Sequence, residues 1–194
     1  MLKLGVTGGI GSGKTLVCTI ISAMGYPVFN ADYEAKRLID NDTRIINSIK
    51  DLFGEEIYIN NELNRKRVSE LVFTNPLLLE KLNFIVHPAV VEYFNQWVKQ
   101  FQSKSIVVKE AAILFESGAN KGLNKIIGVI APIELRIQRV IDRDKVSYES
   151  VLRRINNQYP QDELIKKCDS IIENDGVKLI LPQIVKIIEE LEKV

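Results

Sequence analysis

A glycine-rich segment near the start of the chain matches the pattern G-x-x-x-x-G-K-[ST] at every fixed position. It reads Gly8-Gly9-Ile10-Gly11-Ser12-Gly13-Lys14-Thr15. The apolar-rich run before it, residues 2–7, predicts a buried strand, and apolar residues at helical spacing after Lys14 predict a helix that ends at Gly25. A strand, a glycine loop and a helix in this order turn backbone N–H groups toward an anion. The segment therefore predicts an α/β fold that binds a nucleoside triphosphate.

The residue types of this loop suit the phosphates of a nucleotide. Glycines let the backbone wrap a phosphate without Cβ clashes. Lys14 is expected to reach the β- and γ-phosphates, and the Thr15 hydroxyl to bind Mg²⁺. The expected ATP-binding residues of the loop are Gly9, Ile10, Gly11, Ser12, Gly13, Lys14 and Thr15. No G-x-G-x-x-G register fits these glycines, which argues against a dinucleotide-binding fold.

The composition is that of an ordinary globular chain. The 194 residues suit one domain with an inserted subdomain, and 46% of them are hydrophobic and 26% charged. A formal net charge of +1 gives no bias toward nucleic acid or an anionic membrane. The two cysteines, Cys18 and Cys168, lack metal-ligand spacing and indicate no disulfide framework. No apolar run approaches the ~18–20 residues needed to cross a membrane. Because the glycine loop begins at Gly8, we expect no signal peptide and a cytoplasmic location.

Short strands rich in Ile and Val alternate with helical stretches, which predicts a parallel sheet covered on both faces. The five predicted strands are 2–7, 27–29, 106–111, 126–130 and 170–173. Residues 32–102 are expected to form only helices and turns, with Pro88 interrupting or kinking one helix. The predicted fold class is a three-layer α/β sandwich of the P-loop NTPase type with a five-stranded parallel sheet. We expect a single domain over residues 1–194, with a helical acceptor-binding insertion at about 32–102 and an arginine-rich lid at about 136–160.

A phosphate loop alone does not separate kinases from guanine-nucleotide switches. A switch needs a D-x-x-G after a strand, whereas Asp51-Leu52-Phe53-Gly54 lies at the end of a predicted helix. It also needs an [NT]-K-x-D base reader, and Asn124-Lys125-Ile126-Ile127 lacks the aspartate. These two failures argue against a switch. A small-molecule kinase instead needs a carboxylate near the acceptor hydroxyl, cations over the transferring phosphoryl group, and an acceptor pocket.

Asp32 is the candidate carboxylate, because it follows the second predicted strand closely and the carboxyl ends of such strands face the ligand crevice. There it could accept a hydrogen bond from a substrate hydroxyl. The alternative is structural, since a carboxylate in a first helical turn is common.

Arginines are the candidate cations. Arg136, Arg139 and Arg143 lie on one predicted helix, and Arg153 and Arg154 follow on the next. Arginine's planar fork suits phosphate oxygens, although a solvated face with local ion pairs would also explain each residue singly. A second basic cluster, Arg65-Lys66-Arg67, could meet phosphate groups of an acceptor or form an exposed helix start.

Several segments in order along the chain resemble the dephospho-coenzyme A kinase family nearly end to end. They are Leu4–Lys14, Asn30-Ala31-Asp32, Leu63–Phe73, Leu82-Asn83-Phe84-Ile85-Val86-His87-Pro88, Leu114-Phe115-Glu116, the lid residues Arg139, Arg143 and Gln158, and Asn174-Asp175-Gly176. The chain departs from the family where Ala111-Ala112-Ile113 lacks a usual proline and where Lys109 and Glu110 place charges in the third strand. It has no ordinary hydrophobic run ending in aspartate, which leaves the second metal carboxylate open between Asp32 and Glu116.

The resemblance implies transfer of the ATP γ-phosphate to the ribose 3′-hydroxyl of dephospho-coenzyme A, the last step of coenzyme A synthesis. It implies that Asp32, Lys14 and Arg143 are catalytic and that Arg139, Arg143 and Asn174 join the loop in binding ATP. The implied substrate contacts are Thr7, Asp32, Arg65, His87 and Glu116. ATP and Mg²⁺ are the implied cofactors, and the expected state is a monomer that binds neither nucleic acid nor membrane. Another P-loop small-molecule kinase, such as a nucleoside monophosphate kinase, is the alternative that residue types alone leave open.

Overall fold

The structure is a computed structural model and describes residues 1–193. Its strands are β1 (Leu2–Thr7), β2 (Val28–Asn30), β3 (Tyr58–Ile59), β4 (Glu62–Leu63), β5 (Ile106–Glu110), β6 (Lys125–Ile130) and β7 (Ser170–Glu173). Its α-helices are α1 (Lys14–Ala23), α2 (Ala31–Asn41), α3 (Thr43–Phe53), α4 (Arg65–Thr74), α5 (Pro76–Val98), α6 (Ile133–Asp144), α7 (Tyr148–Asn156), α8 (Gln161–Lys167) and α9 (Ile180–Glu192). The chain forms two compact units, one of residues 1–30 with the described residues from 101 onward, the other of residues 31–100.

A five-stranded parallel sheet forms the centre of the first unit, with the strand order β2-β5-β1-β6-β7. This confirms the predicted sheet and the α/β fold class. The central strand is β1, paired with β5 on one side and β6 on the other. The loop that follows β1 therefore leaves the middle of the carboxyl edge of the sheet, where ligands of open α/β sheets bind.

Apolar side chains on one face of the sheet pack against α1 and α9. Leu4 and Val6 of β1 and Val129 of β6 are fully buried and belong to the same cluster as Ile21 of α1 and Ile184 of α9. A second, smaller cluster joins α6 and α7 through Ile137, Val140 and Val151, and Ile10 of the glycine loop packs against it. Residues 136–160, the segment predicted as a lid, thus share apolar contacts with the loop.

The second unit is helical, with α2, α3 and α4 packed against the long helix α5. Its described residues also include a two-stranded antiparallel hairpin of β3 and β4, so the expectation of helices and turns alone was wrong. The turn between the strands consists of Asn60 and Asn61, both with positive φ, which asparagine tolerates better than most residues. Pro88 lies inside α5, and the helix continues through it instead of being interrupted. Packing of α5 against α2, α3 and α4 stabilises the helix despite the backbone hydrogen bond that Pro88 cannot donate.

Candidate active site

The glycine loop has a backbone that only glycine can supply at two positions. Gly11 and Gly13 have φ of 77° and 97°, in the left-handed region. A Cβ at Gly13 would lie 2.1 Å from Nδ2 of Asn174, and one at Gly11 would lie 2.4 Å from the carbonyl oxygen of Arg136. The loop is therefore packed tightly against both neighbours. Lys14 begins α1, and its Nζ donates to the carbonyl oxygens of Gly8 at 2.8 Å and Gly9 at 3.3 Å.

A carboxylate that sequence reasoning treated as a departure lies beside the expected metal ligand. Glu110 is the last residue of β5, in register with Val6 of β1 and Asn30 of β2, and only 6% of it is exposed. Its Oε1 accepts a hydrogen bond from Oγ1 of Thr15 at 3.0 Å, and its Oε2 accepts one from Nδ2 of Asn30 at 3.0 Å. The sequence signal that was missed is an acidic residue at the end of an otherwise apolar strand, which would have indicated a metal ligand. Lys109 interrupts the apolar run just before Glu110, so the pattern was not recognised.

Thr15 and Glu110 together fit Mg²⁺. This ion prefers hard oxygen ligands and, at nucleotide sites, is held by one or two protein groups, waters and substrate phosphates. A hydroxyl and a carboxylate oxygen 3.0 Å apart beside the phosphate loop provide such a pair. Within residues 1–193 no group of three or more His, Cys, Asp or Glu side chains could hold a metal. The arrangement is therefore suited to a cation that arrives with a nucleotide rather than to a closed protein cage.

Two arginines of α6 donate hydrogen bonds to backbone carbonyl groups of the glycine loop. Arg136 is 5% exposed, and its Nε donates to the carbonyl oxygen of Ile10 at 2.9 Å. Arg139 donates from Nη1 to the carbonyl oxygen of Gly11 at 3.4 Å. Burial lowers the pKa of Arg136, but a guanidinium remains charged at neutral pH. Arg136 was predicted only as one of three arginines on this helix. Nothing in the sequence indicated that it alone of the three would be buried.

The backbone N–H of Ile10 is held from the other end of the lid segment. It donates to Oε1 of Gln158 at 2.7 Å, just beyond the end of α7. Three residues later, Oε1 of Gln161 accepts a hydrogen bond from Nη1 of Arg136 at 3.4 Å. Both backbone groups of Ile10 are thus paired with the lid segment or its arginine, which couples the loop's conformation to the position of α6 and α7.

Asn174 follows β7 and has both ends of its amide in use. Its Nδ2 donates to the carbonyl oxygen of Ser12 at 2.8 Å, and its Oδ1 accepts from Nη2 of Arg139 at 3.0 Å. The residue is buried. Asn174 was predicted to bind ATP; in this arrangement its side chain connects the glycine loop to α6.

Arg143 and Glu116 have protein partners. Nε and Nη2 of Arg143 donate to the two carboxylate oxygens of Asp144, at 2.7 and 3.1 Å. Nη1 of Arg154 donates to Oδ2 of the same carboxylate at 2.9 Å. Hydrogen bonds from Arg143 and then Arg154 lower the pKa of Asp144 to about 2. The carboxylate of Glu116 accepts the backbone N–H of Tyr159 at 3.0 Å.

The remaining predicted substrate contacts differ in exposure. Thr7, at the end of β1, is 1% exposed and so offers almost no surface to a ligand. In the helical unit, Asp32 is exposed in the first turn of α2, and His87 is half-buried within α5. Arg65 begins α4, and its Nη2 forms an ion pair with Oδ2 of Asp40 at 2.6 Å.

Over the described part of the chain, the helices are all too short or too polar to cross a membrane.

Comparisons with known proteins converge on one family. A family model described as dephospho-CoA kinase matches residues 2–179. The dephospho-CoA kinase of Bacteroides fragilis is 37% identical over 187 residues, which cover 96% of this chain and 91% of that protein. A crystal structure of TT1252 from Thermus thermophilus matches with a TM-score of 0.88 and 33% identity, over 97% of this chain and 96% of that one. A dephospho-CoA kinase from Campylobacter jejuni matches with a TM-score of 0.71 and 27% identity, over 98% and 97% of the two chains.

Proposed function

The chain belongs to the dephospho-CoA kinase family, and from this premise we propose that it transfers the γ-phosphate of ATP to the ribose 3′-hydroxyl of dephospho-coenzyme A. The products are coenzyme A and ADP. The observation that carries the proposal is the glycine loop with the Thr15–Glu110 pair directly beside it. This pair supplies the metal side of a phosphoryl-transfer site, and the arginines of α6 supply its cationic side.

The loop binds the triphosphate through backbone N–H groups and the N-terminus of α1. Lys14 neutralises charge on the β- and γ-phosphates, after exchanging the carbonyl oxygens of Gly8 and Gly9 for phosphate oxygens. Thr15 and Glu110 would hold Mg²⁺, which would offset part of the negative charge of the triphosphate. Arg136 and Asn174 keep the loop in the required shape, because both are buried and donate hydrogen bonds to its backbone carbonyl groups.

Asp32 acts on the acceptor. It orients the 3′-hydroxyl and accepts its proton as the hydroxyl oxygen bonds to the γ-phosphorus. The bond between that phosphorus and the β–γ bridging oxygen breaks, and ADP leaves. The role is supported by the resemblance of Asn30-Ala31-Asp32 to the family's motif and by the exposure of Asp32 in the first turn of α2. Arg65 and His87, in the same helical unit, are the proposed contacts to the rest of the acceptor.

Arg139 and Arg143 act as the cations of the lid segment. Charge on the transferring group is spread over its equatorial oxygens in the transition state, and arginine side chains stabilise it. Arg139 is already connected to the loop through the carbonyl oxygen of Gly11. Arg143 lies one helical turn further on, where it can reach a phosphate once it leaves Asp144.

The test is ADP release from Mg²⁺–ATP with four acceptor conditions: dephospho-coenzyme A, AMP, shikimate and none. Turnover only with dephospho-coenzyme A, with coenzyme A identified as the product, is the expected result. Turnover with AMP would keep the nucleotide site but overturn the acceptor. Acceptor-independent ADP release at an equal rate would contradict a kinase function altogether.

A further inference from the structure

The last residue of α6 is a carboxylate in an unfavourable place. The C-terminus of a helix carries a partial negative charge, which disfavours Asp144 there. Two arginines offset this cost. Arg143 binds both oxygens of Asp144, and Arg154, from the next helix, binds one of them. Local choices that work against the helix dipole are expected at functional or strained sites.

Arg143 continues the line of the two arginines that hold the glycine loop. Arg136 and Arg139 donate to consecutive loop carbonyl groups, those of Ile10 and Gly11. Arg143 lies four residues beyond Arg139, which places it on the same face of α6 and about 6 Å further along the axis. Asp144 then connects Arg154 to this line. The Asp144 ion pairs therefore place two guanidinium groups side by side at the end of α6.

Both arginines are accessible. The side chain of Arg143 is 63% exposed and that of Arg154 is 50% exposed, whereas that of Asp144 is 26% exposed. Exposed ion pairs have small net energies, so a better anion can replace the carboxylate. A phosphate group carries more charge and more acceptor oxygens than one carboxylate, and arginine binds it bidentately.

We propose that Arg154 is a further lid cation, beside Arg139 and Arg143, for the phosphates of the nucleotide, and that Asp144 is a positioning carboxylate that holds Arg143 and Arg154 until those phosphates replace it. The inference rests on the proposed function, because it takes the bound phosphates to be those of ATP. It separates Arg154 from its neighbour Arg153, which is also exposed on α7 but does not contact Asp144 in the described hydrogen bonds and ion pairs.

The experiment is titration calorimetry of ATP and AMP with Mg²⁺ and no acceptor. We expect Arg154→Ala to weaken ATP binding about tenfold, the effect of losing a charge-assisted hydrogen bond. The matched variant Arg153→Ala should stay within about twofold of the wild type. Asp144→Asn should bind ATP about threefold more tightly, because it removes the competing charge. Binding of AMP should change little in any variant.

Two results would overturn the inference. One is an Arg154→Ala variant that binds ATP as Arg153→Ala does. The other is an Asp144→Asn variant that binds ATP less tightly. That result is expected if Asp144 only stabilises the packing of α7 against the end of α6. Circular dichroism and thermal unfolding show which variants are folded, and Arg154→Lys, which keeps the charge, should recover part of the lost affinity. In the double variant Arg154→Ala/Asp144→Asn, the gain in ATP affinity from Asp144→Asn should be smaller than in the wild-type background. Only Arg143 is then left to be released from the carboxylate.

Failure of this inference and failure of the proposed function are distinguishable. Nucleotide affinity is measured without an acceptor, whereas the proposed function is tested by turnover with dephospho-coenzyme A. A protein that shows the expected affinities but phosphorylates only AMP overturns the acceptor alone. A protein that makes coenzyme A while Arg154→Ala and Arg153→Ala bind ATP equally overturns this inference alone.

Discussion

At the scale of single residues, Glu110 lies where the proposed chemistry needs a carboxylate. It is the only carboxylate that the described hydrogen bonds place on Thr15, and it is almost fully buried. A buried carboxylate there is tolerated because Thr15 and Asn30 each donate to it. We therefore propose Glu110, rather than Asp32 or Glu116, as the metal's second ligand.

We expect Glu110→Gln to lower kcat by roughly 10²-fold and to raise the Mg²⁺ concentration needed for half-maximal rate, because an amide binds the cation less well. Steady-state rates over a Mg²⁺ titration measure both effects. Glu110→Asp keeps the charge and is the matched control, which should retain more activity. An unchanged Mg²⁺ dependence in Glu110→Gln would mean that Glu110 only supports Thr15 and Asn30.

A second prediction at this scale concerns Lys109, a buried amine within the sheet, and the pH dependence of protein stability. It is 2% exposed, and its Nζ donates to the carbonyl oxygen of Ala119 at 3.4 Å. Burial lowers the pKa of Lys109 to about 8, well below the ordinary 10.5. Between these two values the unfolded chain holds a proton that the folded protein has lost, so folding is favoured as pH rises.

The stability of the wild type relative to Lys109→Met should therefore rise by roughly 3 kcal/mol between pH 8 and pH 10.5. Below pH 8 both states hold the proton, and the difference should be flat. Urea unfolding of both proteins at several pH values gives the comparison, with the exposed Lys121→Met as the control. A pH-independent difference between wild type and Lys109→Met would show that the lysine titrates normally.

Residues such as Lys109 and Glu110 mark a limit of sequence reasoning. The pattern Ile106-Val107-Val108 predicted a strand correctly, but two charges after it looked like a defect in a buried element. The neighbouring strand β1 shows that Glu110 emerges beside the glycine loop, and the turn after β5 supplies the carbonyl oxygen of Ala119 to Lys109. Partners that are distant in sequence decide whether a buried charge is tolerated.

At the scale of elements, the strands of the main sheet were predictable, whereas the side-chain hydrogen bonds that connect one element to another were not. Strands with Ile and Val runs appear within a residue or two of the expected bounds, since burial on both faces of a parallel sheet imposes that composition. The hairpin of β3 and β4 was missed because its strands have two residues each, too few to show an alternating pattern. Gln158 was noted only through family resemblance, and nothing local predicts its bond to Ile10.

The prediction at this scale concerns the stability and nucleotide affinity of an Asn174 variant, since Asn174 connects the turn after β7 to the glycine loop and α6. Asn174→Ala should lower the free energy of unfolding by about 1–3 kcal/mol, because the carbonyl oxygen of Ser12 loses its buried donor. ATP and GTP affinities should fall by similar factors, since a misshapen loop affects any triphosphate. Unfolding and binding titrations measure these effects, with Asn156→Ala at the exposed end of α7 as the control. A loss of ATP affinity alone, at unchanged stability, would instead make Asn174 a reader of the base.

At the scale of the whole molecule, the glycine loop predicts the architecture because its position in the sheet is physically constrained. A strand that feeds a phosphate loop belongs at the centre of a parallel sheet, and β1 is central. The acceptor is different in kind. Many small-molecule kinases combine such a loop with a helical insertion and arginines, so it was the ordered set of family motifs, and then the match over residues 2–179, that identified the family.

Nucleotide binding should be visible in the stability of the whole protein, independently of any acceptor. A ligand that binds only the folded state at 100 times its Kd adds about 2.7 kcal/mol. For a chain of this size, each kcal/mol raises Tm by roughly 2–4 °C, so saturating Mg²⁺–ADP should raise Tm by roughly 5–10 °C. Lys14→Ala should lose most of this increase, because the lysine supplies the charge that the β-phosphate requires. AMP, which lacks that phosphate, should have a much smaller effect on the wild type. If AMP and ADP raised Tm equally, or if Lys14→Ala kept the full shift, the glycine loop would not be the site of phosphate recognition.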